Sequence, residues 1–90
     1  MPERRLTLIN ELGLHARAAA QVVRCASKFQ SRITLRNEDR NVEADARSIL
    51  DILYLAAGHG KQLLVTAIGE DADEALVEIE NLFANGFGEI

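Results

Sequence analysis

From Arg4 to Ile9 the chain alternates, with Leu6 and Leu8 on one side and Arg5, Thr7 and Ile9 on the other. This period of two predicts a half-buried strand. After a loop at Asn10 to Gly13 the period lengthens. Ala19, Val22, Val23, Ala26 and Phe29 recur at helical spacing, which predicts an amphipathic helix over Ala16 to Phe29. Alternation returns from Arg32 to Arg36, with Ile33 and Leu35 inward. Asn37-Glu38-Asp39-Arg40-Asn41 reads as a polar hairpin turn, and Val42, Ala44 and Ala46 as the inward side of its partner strand. Ser48 opens a second helix, with Asp51 three residues on in the place of a capping-box acid. That helix is expected to run to about Ala57 and stop at Gly58-His59-Gly60. Gln62 to Ile68 is strongly strand-like. Gly69-Glu70-Asp71 then turns into a third helix, Ala72 to about Ala84, with Ala75, Leu76, Ile79, Leu82 and Phe83 inward and Gly86 as its stop. The order β-α-β-β-α-β-α predicts a two-layer α+β sandwich, a four-stranded sheet buried on one face under three helices.

Composition narrows the setting. Ninety residues are expected to form a single domain, 1–90. One cysteine permits no internal disulfide and suits a reducing cytoplasm. Met1-Pro2-Glu3-Arg4-Arg5 leads straight into the first strand pattern with no apolar stretch of a signal peptide. No apolar run approaches the ~20 residues that span a bilayer. A net charge of −4 argues against nucleic acid as a partner. Two histidines and one cysteine, far apart in sequence, offer no metal-site spacing, and no phosphate loop or nucleophile elbow is present, so no cofactor is expected.

Candidate chemistry concentrates in Gly13-Leu14-His15-Ala16-Arg17. The segment sets one imidazole at the start of a helix, where unpaired backbone N–H groups and the positive end of the dipole favour anions. Phosphate is the anion most often held there. Arg17 adds a planar, permanently charged phosphate-binding group. A nucleophilic imidazole, an anion nest and an arginine describe a histidine that carries a phosphoryl group. Arg24, two turns further on, either meets an acidic partner or is a solvated charge. The second helix is unusual in that Ser48 and Asp51 are its only polar residues. Ile49, Leu50, Ile52, Leu53, Tyr54 and Leu55 cannot all point inward, so an exposed apolar patch is expected. A partner surface, a dimer contact and a crowded core each fit that excess. Cys25 reads as an inert helix residue and His59 as a loop residue.

Gly13-Leu14-His15-Ala16-Arg17-Ala18-Ala19 resembles the active-site signature of the HPr family, the histidine phosphocarriers of the bacterial phosphotransferase system. Ala46-Arg47-Ser48-Ile49-Leu50 resembles that family's regulatory-serine segment, once the hairpin is allowed two extra residues. The apolar second helix, Leu35-Arg36-Asn37 and the Leu82-Phe83…Gly86-Phe87 run resemble the nitrogen branch, NPr. The resemblance implies an antiparallel sheet of order 1-4-2-3 and a phosphoryl group on Nδ1 of His15, stabilised by Arg17. It implies a donor of the enzyme I type and an acceptor of the EIIA type, and it makes Leu50 the preferred anchor of the apolar patch; docking is expected through Ile49, Leu50, Tyr54 and Arg24, and the chain is expected to be a monomer. Ser48 becomes a candidate site for an HPr kinase, although N-cap preference alone explains a serine there. The sugar branch, and a small α+β binding domain without phosphotransfer, are the alternatives. Two positions depart from the family pattern: Ala18 replaces a common Pro, and Asp51 replaces a partner-facing Lys of many sugar-branch members.

Overall fold

The alternating segments pair into one antiparallel sheet. In a computed structural model describing residues 2–89, the strands are β1 (Glu3–Thr7), β2 (Arg32–Asn37), β3 (Val42–Asp45) and β4 (Gln62–Ile68), in the order β1-β4-β2-β3. Three helices, α1 (Ala16–Ala26), α2 (Ile49–Tyr54) and α3 (Ala72–Ala84), cover one face, and a short 3-10 turn at Gly86–Gly88 follows. The register sets Leu6 opposite Leu63, Leu35 between Val65 and Ala44, and Ile33 opposite Ala67. All of these are buried, and Ala18, Ala19, Val22, Ile52, Ala75, Leu76 and Ile79 close the core from the helical layer. On the open face Thr34 and Thr66 lie opposite one another and share a hydrogen bond between hydroxyls.

Local pattern placed β4 and α3 on their observed bounds. Other details differ, β1 ending at Thr7 rather than Ile9 among them, and three have a tertiary cause. The first helix ends at Ala26 rather than Phe29. There the Arg47 guanidinium crosses from the α2 approach and donates to the carbonyls of Ala26 (3.5 Å), Ser31 (3.4 Å) and Phe29. A cation at a helix C-terminus satisfies orphan acceptors and complements the dipole. The second helix ends at Tyr54 rather than Ala57, because Ala56 turns left-handed at φ 52° before the glycines are reached. Asn37 belongs to β2 and is fully buried, not part of a solvated turn. Its Nδ2 donates to the Leu55 carbonyl at 2.9 Å and ties the sheet to the end of α2. Leu82 is only half-buried, on the rim of the groove between α1 and α3.

The turn into α3 is held across the sheet. Asp71 Oδ2 accepts the Gln30 N–H at 2.9 Å, while Oδ1 accepts the Ser31 N–H at 2.9 Å and the Ser31 hydroxyl. Gly69 makes room: a Cβ there would lie 2.5 Å from Ser31 Oγ. The Ser31 hydroxyl, and after it the Gln30 N–H, hold the Asp71 carboxyl below its ordinary range.

Two stability predictions follow from these joints. Ala56 carries the left-handed penalty of an L-residue, about 1–2 kcal/mol, part of which glycine's extra chain entropy would offset. Ala56→Gly should therefore stabilise the fold by about 0.5–1 kcal/mol, a rise of roughly 2–8 °C in thermal midpoint. A lowered midpoint would show that the Ala56 methyl contributes more than its strain costs. The second concerns acid. A carboxyl whose folded pKa is depressed binds fewer protons folded than unfolded, so its contribution is complete above about pH 4 and lost as pH falls through the folded pKa. Asp71→Asn should flatten the fall in Tm between about pH 5 and pH 2, leaving the part due to Glu38 and Glu89, whose carboxyls are also held low. An unchanged slope would remove Asp71 from the acid response.

Candidate functional site

His15 is the N-cap residue of α1, with extended backbone at φ −79° and ψ 179°. Its carbonyl accepts the Ala19 N–H at 2.9 Å, the first bond of the helix. The N–H groups of Ala16, Arg17 and Ala18 find no backbone acceptor among the described residues, and no side chain caps them. A helix N-terminus with three unpaired donors is a ready anion site. The approach to His15 is equally constrained. Gly13 sits at φ 63°, and a Cβ on it would lie 2.6 Å from the Ala57 carbonyl oxygen and 2.7 Å from Gly58 Cα. Only glycine fits such a crossing. One residue on, the Leu14 N–H donates to that same Ala57 carbonyl at 3.0 Å. The loop before His15 is thus bonded to the segment that leaves α2.

Two residues that sequence reasoning did not single out complete the site. Glu89 Oε2 meets His15 Nε2, and Glu89 Oε1 accepts from Asn10 Nδ2 at 2.9 Å. Asn10, fully buried in what sequence marked as a plain loop, also donates to the Gly13 carbonyl at 2.9 Å. The Asn10 amide and then His15 hold the Glu89 carboxyl below its ordinary range, with Arg17 a smaller influence in the same direction. Arg17 is exposed and makes no ion pair among the described residues. It shares a cavity of about 390 Å³ with Ile9, Glu11, Leu12 and Glu89. Three free backbone donors thus follow the imidazole directly at the helix start, and an exposed guanidinium stands two residues from it.

The remaining expected residues fall in two places. Ile49 (40% exposed), Leu50 (79%) and Tyr54 (68%) all reach solvent, as the apolar excess of α2 requires, while Ile52 and Leu55 enter the core. Arg40 lies over the Tyr54 ring, 5.8 Å from its centroid, and joins the β2–β3 hairpin to this surface. Arg24 is exposed, but it lines the groove between α1 and α3 with Gln21, Lys28 and Glu78 rather than the α2 surface. Ser48 is the N-cap of α2, and its Oγ accepts the Asp51 N–H at 3.2 Å. Among the described residues no group of three metal-ligating side chains exists, and no helix is long and apolar enough to cross a membrane.

A family model described as the PTS HPr component phosphorylation site matches residues 2–85. The chain belongs to the HPr family. It is 45% identical over 89 residues to the phosphocarrier protein HPr of Xylella fastidiosa, covering 99% of this chain and 98% of that one. It is 41% identical over 86 residues to the phosphocarrier protein NPr of Proteus mirabilis, covering 96% and 94%. Among solved structures, HPr from Thermoanaerobacter tengcongensis superposes with a TM-score of 0.93 at 37% identity, over 100% of this chain and 99% of that one. This is an HPr phosphocarrier fold of the phosphotransferase system, with the expected strand order and three helices. Relatives bearing both branch names align along nearly the whole chain.

The cap of α2 can be tested without any partner. Ser48→Ala should cost about 0.5–2 kcal/mol in denaturant unfolding, and Ser48→Asp should restore most of it because Asp caps well. Equal losses in the two variants would show that the hydroxyl serves something other than the helix end.

Proposed function

We propose that residues 1–90 form one monomeric phosphocarrier domain that takes a phosphoryl group onto His15 Nδ1 from an enzyme I-type donor and passes it to an EIIA-type acceptor. The observation that carries this reading is the position of His15. Among the described residues, the first three N–H groups of the helix it caps are unpaired and the neighbouring Arg17 has no ion partner. The N–H groups and Arg17 hold the phosphoryl oxygens, and the transfer needs no cofactor. The apolar surface of α2 gives donor and acceptor one place to dock, and the bond between Leu14 and Ala57 fixes that surface relative to His15. Because both partners must reach one histidine, their complexes are transient. The cytoplasm is the setting that a single buried free thiol suits.

The nitrogen branch is favoured by the apolar character of α2 and by Asp51 in place of a lysine on its surface. The sugar branch has its own support, since the first relatives carry the name HPr. Parallel phosphorylation by the enzyme I of each branch separates the two: the cognate donor should give the higher kcat/KM. Ser48 is the residue an HPr kinase would modify, close to the docking surface.

His15→Ala should fold and take up no acid-labile phosphate from phosphoenolpyruvate and enzyme I, read by intact mass; uptake would overturn the assignment. Arg17→Ala should leave stability nearly unchanged, because Arg17 is exposed and makes no ion pair among the described residues. It should slow transfer by about tenfold or more, the value of a charge-assisted phosphate contact of roughly 1.5–3 kcal/mol. An unchanged rate at sub-saturating donor would remove Arg17 from the chemistry.

Leu50→Glu tests the docking surface. A residue this exposed should tolerate the change within about 0.5 kcal/mol of stability. Binding to donor and acceptor should weaken together, by about 2 kcal/mol if Leu50 is a hot spot. Normal docking of both partners to a folded Leu50→Glu protein would rule the surface out.

A further inference from the structure

The segment after α3 is built to return one carboxylate to His15. Gly86, Phe87 and Gly88 follow one another with positive φ, at 58°, 57° and 79°. A left-handed phenylalanine persists only where its surroundings over-determine it. Here they do. The Phe87 ring is buried with its centroid 5.1 Å from that of Phe83, and its carbonyl accepts from Gln21 Nε2 at 3.1 Å. Gly88 and Glu89 donate their N–H groups back to Asn85 and Gly86, each at 3.0 Å. The turn therefore has one geometry, and that geometry delivers Glu89 to His15.

The chemistry at that meeting is directional. A carboxylate only accepts hydrogen bonds. Asn10 Nδ2 supplies the proton for Oε1, so the proton shared with Oε2 must sit on His15 Nε2. A neutral imidazole protonated at Nε2 carries its lone pair on Nδ1. The charged groups sharing the cavity with Glu89 are Arg17 and Glu11.

We infer that Glu89, oriented by the buried Asn10, is a positioning residue for His15: it holds the Nε2–H tautomer and presents Nδ1 as the nucleophile. The inference rests on the reading of His15 as the phosphoryl acceptor. In the transfer the Nδ1 lone pair forms the bond to phosphorus, and the bond from phosphorus to the donor atom breaks, its electron pair returning to the donor. No proton moves. The Nε2 proton stays between His15 and Glu89, and the carboxylate balances the positive charge that spreads over the ring. Arg17 and the helix N–H groups are left to the phosphoryl oxygens. Imidazole and phosphoryl group are thereby served by separate partners.

The test compares the full chain with Glu89→Ala, each labelled with 15N in its histidines, at a pH where His15 is neutral. The wild type should show a hydrogen-bonded proton on His15 Nε2 in the downfield proton spectrum and an unprotonated Nδ1. Glu89→Ala should keep the amide spectrum of a folded protein but lose that proton signal to solvent exchange. With phosphorylated enzyme I as donor, its kcat should fall about tenfold while KM stays within twofold, because Glu89 lies outside the apolar docking surface. An Nε2 proton that survives in Glu89→Ala overturns the inference, as does a lost proton with unchanged kcat. A wild type that shows the proton yet never accepts phosphate would overturn the phosphocarrier reading while leaving the tautomer assignment standing.

Discussion

The arrangement of this site depends on one backbone junction. The Ala57 carbonyl, at the exit of α2, accepts the Leu14 N–H at the entry to α1, and Gly13 passes so close that a side chain would collide with it. Backbone groups buried away from water must pair, so the contact is obligatory wherever the two loops cross. It ties the start of α1, where His15 sits, to the end of α2, where the apolar surface lies. Neither helix could shift along its axis without breaking it. The left-handed Ala56 is intelligible in this light: by ending α2 early it frees the Ala57 carbonyl to point outward to the other loop.

Around that junction the small core is closed by polar pins as well as by apolar packing. Asn37 joins β2 to the Leu55 carbonyl, Asn10 joins the first loop to Glu89, and Asp71 joins the α3 turn to the start of β2. A buried amide donor offsets its desolvation only when it is bonded, and in both asparagines it is Nδ2 that is bonded while Oδ1 has no partner among the described residues. Each asparagine spends its Nδ2 donor on fixing a loop. Arg47 does the same from the surface, gathering three carbonyls where α1 ends. The four pins lie at element ends, where packing of side chains on a flat sheet fixes direction least.

What was legible in the chain follows the range of the forces involved. Regular elements with a clear period were placed well, β4 and α3 to the residue, because their pattern is written locally. That some of Ile49, Leu50 and Tyr54 must be exposed was legible too, because one helix face cannot take up so apolar a run; that all three reach solvent was not. Sheet order came from family resemblance, since periodicity says which face is buried and not which strands are neighbours. The ends of α1 and α2 were misjudged because Arg47 and a left-handed alanine set them, and neither is a stop signal by composition. Asn37 was misjudged because asparagine in a polar run is ordinarily solvated, and its partner lies 18 residues away.

Glu89 was the least legible residue of all, separated from His15 by 74 positions. One sign was present nonetheless. Gly86-Phe87-Gly88 sets a large apolar ring between two residues free to adopt positive φ, which is what a compact turn back to the core requires. Such a turn must carry the next side chain back with it. An acidic group so delivered looks out of place in a site proposed to receive phosphate, because like charges repel. The conflict dissolves once each charge has its own partner. The carboxylate is engaged by Asn10 and by Nε2 of the imidazole, whereas Arg17 and the first N–H groups of α1 have no partner among the described residues. On the proposed reading, in which His15 both accepts and releases a phosphoryl group, this division is an advantage. One set of contacts exists only while the group is bound, and the other persists throughout, so binding energy is directed to the transferring state rather than to holding the ring.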